Sequence, residues 1–564
     1  MKLLFTALGA ALAGLAWTQA ADQTANFSPI TLTNNLPYTV ALAEHDMGGA
    51  TVPTLQGFAD GQIDNEWVVL AGRTNGLHDF TNDGLINFPP AAQNRTIWVI
   101  DPVSKQTWSR DLDDATSGLS AAQIDSLSTT APQVAQQGDT LYVIGGYGYD
   151  TGLAAFQTYP TLTALNLPDV ISWVKTGSPT LASTVLQTTD EFLRVTGGEL
   201  FLLGGRAQLV FGQDFAGGYT PGSNGDYTKQ VRTFQINLSA GSVSISLPSA
   251  EAPRPEYRRR DLNVVPIMQG SAALGYDTGL VALSGVFTPS FGIWTVPVEI
   301  TANGATYMAN PLDAGTFRQG MNSYRSASIS LFSPSLDQTQ NLLLGGISVQ
   351  YFDSATGMIA TDPNIPFING ITAVIRDGNG NYSQTYLGEF PSIPNPANGN
   401  APFLLGAEAD FFPLPGISDF GNGVLNADAI TTPTTIGYIY GGIIAEQPNR
   451  GNTAASNLIF SVTLSPVASP TPAPVAPPTI VVYGNRTRKT GTASRKIQGS
   501  SGGSANAIQW RVNTRSWRTQ AVRADGQWKF DARNLRDGKN KVRVRAINAA
   551  GAATAVKTLT VTRN

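Results

Sequence analysis

The sequence Leu-Tyr-Val-Ile-Gly-Gly at residues 141–146 decides the fold class, because close copies of it recur along the chain. Each copy is a short apolar run that ends in glycine. Three further copies end in a glycine pair, at residues 201–205, 342–346 and 438–442, and two are degenerate, at residues 68–72 and 281–285. An internal repeat of this length indicates one supersecondary unit that is built several times. The sequence therefore predicts six copies of a β-sheet unit.

Composition and spacing agree with an all-β protein. Charged residues make up 13% of the 564 residues, while glycine occurs 58 times and proline 35 times. This balance favours many short strands joined by turns over long helices. Each interval between glycine sites is long enough for a four-stranded sheet. After the glycines the chain returns to an aliphatic strand that carries or precedes an aromatic residue, as at residues 96–108, 162–173 and 293–298.

This pattern resembles the kelch repeat of the β-propellers that include galactose oxidase and bacterial sialic acid mutarotases. In that family an apolar strand ends in a glycine pair, and a later aromatic residue packs between blades. The resemblance covers residues 28–464 and implies a six-bladed kelch-type β-propeller. The last copy has no fourth strand before a proline-rich segment. We therefore expect residues 30–32 or 38–42 to supply its outermost strand, which would remove an exposed sheet edge.

The N-terminal residues 1–21 have the features of a signal peptide. Lys2 precedes an apolar run at residues 3–17, and the small residues Thr18 and Ala20 suit a cleavage site. The run is short for a membrane span, which leaves a retained anchor helix as the less favoured alternative. The chain has no cysteine, which excludes disulfides and thiolate chemistry. We expect a bacterial protein that is secreted or held at the cell surface.

A second domain follows residues 465–479, which are rich in proline and predict a linker. Residues 480–564 contain short alternating strands separated by turns with glycine and asparagine. The stretch Asn-Leu-Arg-Asp-Gly-Lys-Asn-Lys-Val-Arg-Val-Arg-Ala at residues 534–546 resembles the end of bacterial immunoglobulin-like modules. That resemblance implies a small immunoglobulin-like β-sandwich.

Charge is strongly separated between the two predicted domains. Residues 479–564 hold 18 Lys and Arg against three acidic residues, a net charge of +15, whereas the rest of the chain holds 18 against 37, a net charge of −19. So basic a module is typical of proteins that contact polyanions. We expect an anionic polysaccharide or cell-envelope surface as its partner, with the acidic first domain as the alternative. The candidate contacts are Arg486, Arg488, Lys489, Arg515, Arg518, Lys541, Arg543 and Arg545.

Several chemistries are excluded by residue type. The oxidase branch of the kelch family holds copper with two histidines and two tyrosines, one of them crosslinked to cysteine. This chain has no cysteine, and its two histidines are His45 and His78. A copper radical oxidase is therefore excluded, and the residues predict neither a metal site nor a cofactor.

The kelch resemblance implies that loops after the glycines and loops entering the innermost strands open on one face. The ligand-binding candidates on these loops are Arg73, His78, Tyr147, Tyr149, Arg206, Arg259, Tyr324 and Arg325, and the catalytic candidates are Glu408 and Asp410. Arginines with tyrosines and carboxylates suit an acidic sugar or a carboxylated peptide. The alternative is that these residues pair with one another and only stabilise the inner strands.

Three functions are consistent with the sequence. The preferred hypothesis is a secreted or cell-surface binding and adhesion scaffold, in which the propeller presents a ligand face and the basic module contacts an anionic surface or glycan. The second is a carbohydrate-active enzyme, a mutarotase or a lyase on acidic sugars, with Glu408 or Asp410 as acid or base. The third is a structural component of the envelope or matrix.

Overall fold

A computed structural model of the chain describes residues 27–220, 223, 225–271, 275–449, 452–467, 478–502, 505–523, 526–547 and 553–564. Strand content is 51% and helix content 7%, which confirms the predicted all-β class. The chain divides into two compact units, Met1–Val467 and Ala468–Asn564. The predicted signal peptide, and residues 468–477 of the predicted linker, lie outside the described residues. Among the described residues, no helix has the length and apolar character needed to cross a membrane.

The larger unit begins with two strands that join sheets formed later in the chain, β1 (Ile30–Thr31) and β2 (Tyr38–Glu44). Four antiparallel four-stranded sheets follow. Sheet 1 contains β3 (Ala59–Ile63), β4 (Glu66–Leu70), β5 (Thr96–Asp101) and β6 (Gln106–Asp111). Sheet 2 contains β7 (Gln133–Gln137) and β8 (Thr140–Ile144), then, after the separate hairpin of β9 (Tyr147–Asp150) and β10 (Ala155–Thr158), β11 (Thr161–Asn166) and β12 (Val185–Thr189).

Sheets 3 and 4 have the same organisation. Sheet 3 contains β13 (Glu199–Leu203) and β14 (Arg206–Val210), then, after the pair β15 (Gln213–Asp214) and β16 (Asp226–Tyr227), β17 (Val231–Ser239) and β18 (Ser242–Ala250). Sheet 4 contains β19 (Asn263–Ser271), β20 (Gly275–Leu283), β21 (Val298–Ile300) and β22 (Thr306–Met308). In each of the first four sheets the strands are hydrogen-bonded in chain order, so each is a meander interrupted at most by a hairpin.

Sheets 5 and 6 each recruit strands from elsewhere in the chain. Sheet 5 contains β23 (Ala327–Ser333) and β24 (Gln338–Ile347), then, after the hairpin of β25 (Gln350–Asp353) and β26 (Met358–Thr361), β27 (Phe367–Asp377) and β28 (Tyr382–Glu389). After β29 (Leu404–Ala407) come β30 (Asp410–Pro413) of sheet 6 and β31 (Val424–Asn426). Strands β1 and β31 pair in parallel with the two edges of sheet 5.

Sheet 6 is completed by β32 (Thr434–Tyr440), by β35 (Ile459–Pro466) and by β2 from the N-terminal segment. Its separate hairpin, β33 (Ile443–Ala445) and β34 (Thr453–Ala455), pairs with β29. The register of β2 against β35 runs from Tyr38 opposite Pro466 to Glu44 opposite Phe460. Of the two segments predicted from sequence to close the last sheet, residues 38–42 therefore do so, while residues 30–31 extend sheet 5. Pairing of β2 covers an edge that would otherwise be exposed.

The described helices of the larger unit are short. They are α1 (Gly84–Asn87), α2 (Ala121–Ser126) and α3 (Leu167–Thr176), with 3-10 turns at Pro90–Ala92, Leu181–Ser183, Glu191–Leu193, Pro255–Tyr257, Pro396–Asn398 and Ala427–Ala429. Helix α3 begins at a cap in which the Asn166 side chain accepts a hydrogen bond from the Asp169 N–H. Its Trp173 is fully buried in the hydrophobic cluster that joins sheets 1 and 2.

Each sheet of the larger unit shares a buried apolar cluster with the next. The sixth sheet likewise shares one with the first, where Trp67 stacks on Phe412 at a ring distance of 4.3 Å. Burial of apolar surface on this scale is the main source of stability for a chain without disulfides. Residues that share a cluster, in the order of the sheets, are Val68 with Leu141, Leu162 with Leu209, Val210 with Leu280, Val281 with Leu343, Leu342 with Ile439, and Tyr440 with Val69.

The glycine sites link the sheets through backbone hydrogen bonds. The N–H of the last glycine of a site donates to a carbonyl of the following sheet, namely Gly72 to Thr129, Gly146 to Val195, Gly212 to Arg259, Gly285 to Ser323 and Gly442 to Leu55. Glycine is required at this close approach. A Cβ on Gly145, whose φ is +64°, would lie 2.1 Å from the carbonyl oxygen of Val195.

The third glycine site predicted from sequence is wrong. In sheets 1, 2, 4, 5 and 6 the site lies at the end of the second strand, as predicted. In sheet 3 that position is held by Phe211 and Gly212, both with positive φ, after β14 ends at Val210. Gly204 and Gly205 instead form the turn between β13 and β14, at the other end of the strands. The true site escaped the pattern because phenylalanine replaces the first glycine.

The smaller unit contains two sheets. One has three strands, β36 (Thr479–Val482), β38 (Ser494–Gly502) and β41 (Gln527–Arg533). The other has five, in the spatial order β37 (Thr487–Thr490), β43 (Lys557–Arg563), β42 (Gly538–Ile547), β39 (Ala507–Val512) and β40 (Arg518–Ala521). Buried residues of both sheets, among them Ile497 and Phe530 of the first and Ile508 and Val544 of the second, form one apolar cluster.

Candidate functional site

Residues of all six sheets line one cavity of about 1290 Å³ in the larger unit. Two sets of backbone positions supply them. One set follows the glycine sites and comprises Arg73, Tyr147, Gln213, Val286, Ile347 and Ile443, and the other precedes the first strand of a sheet and comprises Gln56, Thr130, Thr196, Arg260, Tyr324 and Glu408. Backbone bridges join Gln56 to Arg73, Thr130 to Tyr147, Thr196 to Gln213 and Arg260 to Val286. The repeat therefore builds the cavity.

One side of the cavity, the aromatic wall, is formed by the rings of His78, Phe80, Phe88, Tyr147, Phe215 and Tyr219. These rings pack on one another, with His78 4.6 Å from Tyr219 and Tyr147 5.5 Å from Phe215 between ring centroids. Asn87 fixes the wall, because its buried amide donates to the carbonyls of both Thr81 and Tyr219. Rigid aromatic surface of this kind suits the apolar face of a ligand.

Two basic groups lie within the aromatic wall. The Arg73 guanidinium lies 4.1 Å from the centroid of Phe88 and donates to the carbonyl of Asn87. Burial lowers the pKa of Arg73 to about 10, so it remains charged at neutral pH. Burial, opposed by the hydrogen bond to the Asp79 carbonyl and helped by the positive charge of Arg73, lowers the pKa of His78 to about 4. His78 is therefore a neutral ring at pH 7.

A second part of the cavity lining, the polar wall, carries amide and carboxylate groups. Its residues are Asn364, Glu446, Gln447, Asn449 and Asn452. Asn449 is oriented by a hydrogen bond of 2.7 Å from its Nδ2 to Asp362. Aromatic rings and hydrogen-bonding groups that line one cavity are a combination typical of sites for polar organic ligands.

Arg260 is the side chain that most clearly indicates a ligand. The residue is 5% exposed and lines the cavity. Asp261 Oδ2 lies 3.2 Å from Arg260 Nε, but without hydrogen-bond alignment, and neither Nε nor Nη1 has a hydrogen-bond partner among the described residues. Leaving a buried charged donor unpaired is costly in free energy. An anionic group in the cavity would supply the missing acceptor.

Beside the cavity a central cluster gathers Asp60, Glu199, Arg325, Glu408 and Asp410. The Arg325 guanidinium lies 3.1 Å from Glu199, 3.2 Å from Glu408 and 2.9 Å from Asp410. Asp60 is close enough for the charges of Asp410 and Arg325 to shift its pKa. Of the cluster, only Glu408 also lines the cavity. One arginine thus pairs with three carboxylates, one at the start of sheet 3 and two at the start of sheet 6.

The carboxylates of the central cluster hold protons more tightly than ordinary ones. Burial, together with the charge of Asp410, raises the pKa of Asp60 to about 8. Burial raises the pKa of Glu199 and of Glu408 to about 7, although Arg325 opposes the shift. Desolvation disfavours the charged form, and one arginine cannot neutralise four carboxylates. The cluster therefore titrates near neutral pH.

The structure brings together part of the predicted site. Arg73, His78, Tyr147, Tyr324 and Glu408 line the cavity, and Arg325 and Asp410 belong to the central cluster. Tyr149 lies behind the aromatic wall, packed on Phe156 at a ring distance of 5.2 Å.

Two predicted arginines lie outside the cavity lining. Arg206 follows the β13–β14 turn, and its guanidinium donates to the carbonyl of Leu247. The sequence pattern predicts it at the cavity only because that pattern assigns the third glycine site to this turn. Arg259 is fully buried, and its guanidinium donates to the carbonyls of Glu256, Ser284 and Val296. The role of Arg259 is therefore to stabilise the sheets.

Sequence reasoning missed much of the cavity lining. The polar wall comes from the segment after the last glycine site, where Glu446, Gln447, Asn449 and Asn452 form a polar run that could have been recognised. Phe88 and Tyr219 come from loops with no repeated pattern, so no signal pointed to them. Among the described residues there is no group of three or more His, Asp or Glu side chains placed to hold a metal ion.

The smaller unit carries a basic face on its five-stranded sheet. Val542, Val544 and Ala546 of β42 are buried, so Lys541, Arg543 and Arg545 project from the other side. Cross-strand register adds Arg511, directly opposite Arg543, and threonines 558, 560 and 562 of β43. Lys489 of β37 and Lys539 of β42 both lie opposite Thr562, one on each side of β43. The basic face therefore comprises Lys489, Arg511, Lys539, Lys541, Arg543 and Arg545.

Two predicted polyanion contacts lie elsewhere. Arg488 is in register with buried Val561 and donates to the Asn485 carbonyl, and Arg518 is in register with Trp510, whose ring stacks on Phe530. Both side chains therefore belong to the other side of the five-stranded sheet, not to the basic face. Arg486 precedes β37, and Arg515 lies in the turn between β39 and β40.

No family model and no curated protein sequence matches this chain. Structural comparison gives similarities at low identity. The structure of YjhT has 12% identity and a TM-score of 0.39 over 75% of this chain and 98% of its own, and a fungal alcohol oxidase of the AA5 family in complex with copper has 12% identity and a TM-score of 0.31 over 91% and 99%. The extracellular domain of BT3049 from B. thetaiotaomicron has 11% identity and a TM-score of 0.16 over 94% and 100%. Scores this low support no inference about function.

Proposed function

We propose that this chain is a secreted or cell-surface binding scaffold whose basic smaller unit attaches to an anionic surface or glycan. In this proposal the larger unit is a six-bladed kelch-type propeller, the smaller unit is an immunoglobulin-like sandwich, and residues 465–479 link them. The four meandering sheets, the two further sheets that recruit strands from elsewhere in the chain, the six shared apolar clusters and the backbone hydrogen bonds donated by the glycine sites support the propeller. Export rests on the signal-peptide features of residues 1–21.

The cavity is the proposed ligand site, and the observation that carries the proposal is that Nε and Nη1 of Arg260 have no hydrogen-bond partner among the described residues, although Asp261 lies beside them. A carboxylate bound there would accept a charge-assisted hydrogen bond from Arg260. The aromatic wall would pack on the apolar face of the same ligand, and the polar wall would receive its hydroxyl groups. We therefore expect an acidic sugar, or another small carboxylated molecule.

An array of acidic and neutral glycans, followed by calorimetry on the hits, tests this proposal. We expect Arg260→Gln to abolish binding, while the matched variant Arg206→Gln, outside the cavity lining, binds normally. If Arg260→Gln does not fold, Tyr219→Ala should weaken binding through the aromatic wall. The proposal is wrong if no carboxylated ligand binds, or if the Arg206 variant is as defective as the Arg260 variant.

A carbohydrate-active enzyme is the second candidate, and Glu408 is the observation that favours it. Its pKa is raised to about 7, near the value at which a group both donates and accepts a proton at neutral pH, and it lines the cavity. Against catalysis, Arg325 already holds its Oε2 at 3.2 Å. Exchange between the anomers of an acidic sugar, followed by NMR, separates the two functions. An enzyme would lose turnover in Glu408→Gln with ligand affinity kept.

A further inference from the structure

We propose that the basic face of the smaller unit binds a linear anionic polysaccharide. This inference rests on the proposed attachment of the smaller unit to an anionic surface, and it names the occupant. The basic face places six cations on one side of a single sheet. Neighbouring strands lie about 4.8 Å apart and alternate residues about 7 Å apart, so the cations form a dense flat array.

The array is unfavourable without an anion. Arg511 and Arg543 lie directly opposite each other on β39 and β42, and like charges in that position destabilise a sheet. Among the described residues, no carboxylate lies within 4.0 Å of a cation of the basic face. In the described part of the smaller unit, ion pairs join Asp531 with Arg533 and Asp537 with Arg563. Neither arginine belongs to the basic face.

Three guanidinium groups of the basic face are held in place before any ligand binds. Arg543 Nη1 donates to the Asn513 carbonyl at 2.8 Å, and Arg545 Nε donates to Gln509 Oε1 at 2.8 Å. The guanidiniums of Arg511 and Arg545 each lie 4.6 Å from the ring centroid of Trp517. A side chain fixed in this way loses less entropy on binding than a free one. The basic face is therefore organised for planar anionic groups.

The groups beside the cations favour a polysaccharide over a membrane or a nucleic acid. Hydroxyl and amide side chains share the rows of the array, namely Thr487, Gln509, Thr519, Thr558, Thr560 and Thr562. Sugar hydroxyls can form hydrogen bonds with all of these side chains. A protein binds a lipid surface instead through charge and through apolar side chains that it inserts into the membrane. The one aromatic ring placed by the arginines, Trp517, is covered by guanidinium and so is less suited to stacking a base.

Binding of the full-length chain to polygalacturonate tests the inference. We expect the face variant, in which Lys541, Arg543 and Arg545 are replaced by Gln, to lose affinity by about tenfold or more at about 0.1 M salt. In the matched control, Gln replaces Lys496, Lys529 and Arg533, which project from the outer side of the three-stranded sheet. The control therefore changes the net charge by the same amount as the face variant. It should lose less than about twofold in affinity. If the face variant fails to fold, a second variant in which Gln replaces the exposed Lys489, Lys539 and Lys541 is used for the same affinity measurement.

Each outcome has a distinct meaning. Equal losses in the face variant and the control overturn the inference, because binding would then depend only on net charge. Binding to phosphatidylglycerol vesicles or to duplex DNA, but not to polygalacturonate, also overturns it while the proposed attachment to an anionic surface stands. If none of the three probes binds, both the inference and the proposed attachment are wrong. Neutral dextran should not bind to any variant.

Discussion

Arg325 Nη2 lies 2.9 Å from Asp410 Oδ1, and these two residues enter the first strands of sheets 5 and 6. The same guanidinium reaches Glu199 at the start of sheet 3 and Glu408 before sheet 6. The side chain of Arg325 is 14% exposed. A single, mostly buried cation therefore pairs with residues that lie 83 to 126 positions away in the chain.

We predict that Arg325→Met destabilises the larger unit by about 3–5 kcal/mol, because it leaves three carboxylates buried without a partner. Urea denaturation measures the free energy of unfolding. Adding Glu408→Gln and Asp410→Asn to the Arg325 variant should restore part of the loss, since the unpaired charges are then removed. Arg206→Met is the control and should cost far less. An Arg325 variant as stable as the unaltered protein would contradict the structural role of the cluster.

Stability should depend on pH through the same cluster. In the unfolded chain its carboxyls ionise near pH 4, while in the folded chain the pKa is about 8 for Asp60 and about 7 for Glu199 and Glu408. Between about pH 4 and pH 8 the folded state therefore binds more protons than the unfolded state, and stability falls as pH rises through this window. We expect a higher melting temperature at pH 5 than at pH 8.

The variant Glu408→Gln should flatten this pH dependence, because one of the titrating groups is removed. Glu44→Gln, at an exposed position of β2, serves as the control and should leave the slope unchanged. A slope that is the same in both variants, or stability that rises towards pH 8, would contradict the elevated pKa values.

The corrected glycine site makes a prediction in sheet 3. Gly212→Ala should be more destabilising than Gly205→Ala, although both residues have positive φ. A Cβ on Gly212 would lie 2.7 Å from Val195 Cγ2 and 2.8 Å from the Thr196 carbonyl oxygen, whereas a Cβ on Gly205 meets no atom within 4 Å. The left-handed backbone costs each variant about 1–2 kcal/mol, and the contacts add to the cost at Gly212 alone. Thermal denaturation of the two variants decides the matter, and equal losses would refute the reassigned site.

The predicted linker 465–479 is shortened at both ends, because Ser465 and Pro466 belong to β35 and Thr479 begins β36. Limited proteolysis should first cut within residues 468–478, between these two strands. Proline has no N–H to donate, so a segment this rich in proline cannot be protected by a ladder of hydrogen bonds. Mass spectrometry should identify two fragments that resist further digestion. Early cuts scattered through residues 60–460 would instead argue against a single stable larger unit.

Much of the fold was predictable because it depends on local patterns. Apolar runs that end in glycine mark second strands, and five of the six sites were placed correctly, since a strand that approaches its neighbour this closely tolerates little else than glycine. The pattern failed at Phe211 because a phenylalanine there adopts the left-handed conformation that glycine usually supplies. Counting strands predicted that an N-terminal segment completes the last sheet, and the structure selects β2 over residues 30–32.

The site was less predictable because it depends on where side chains point. Arg259 and Arg260 are neighbours in sequence, yet the Arg259 guanidinium donates hydrogen bonds to backbone carbonyls. Arg260 instead lines the cavity, and two of its guanidinium nitrogens have no hydrogen-bond partner among the described residues. No periodicity separates them. Phe88 and Tyr219, 131 positions apart, meet in the aromatic wall only because their loops converge above the sheets.

The sequence by itself determined the all-β class and the separation of charge, and it narrowed the strand that completes the last sheet to two segments, because each of these is recorded in composition or in spacing along the chain. Only the tertiary structure decided which arginine is paired, which carboxylates share one cation and which cations form one face. The physical reason is that pairing and burial depend on distances of a few ångströms between residues far apart in sequence. Those distances are set by the packing of six sheets in the larger unit and of two in the smaller.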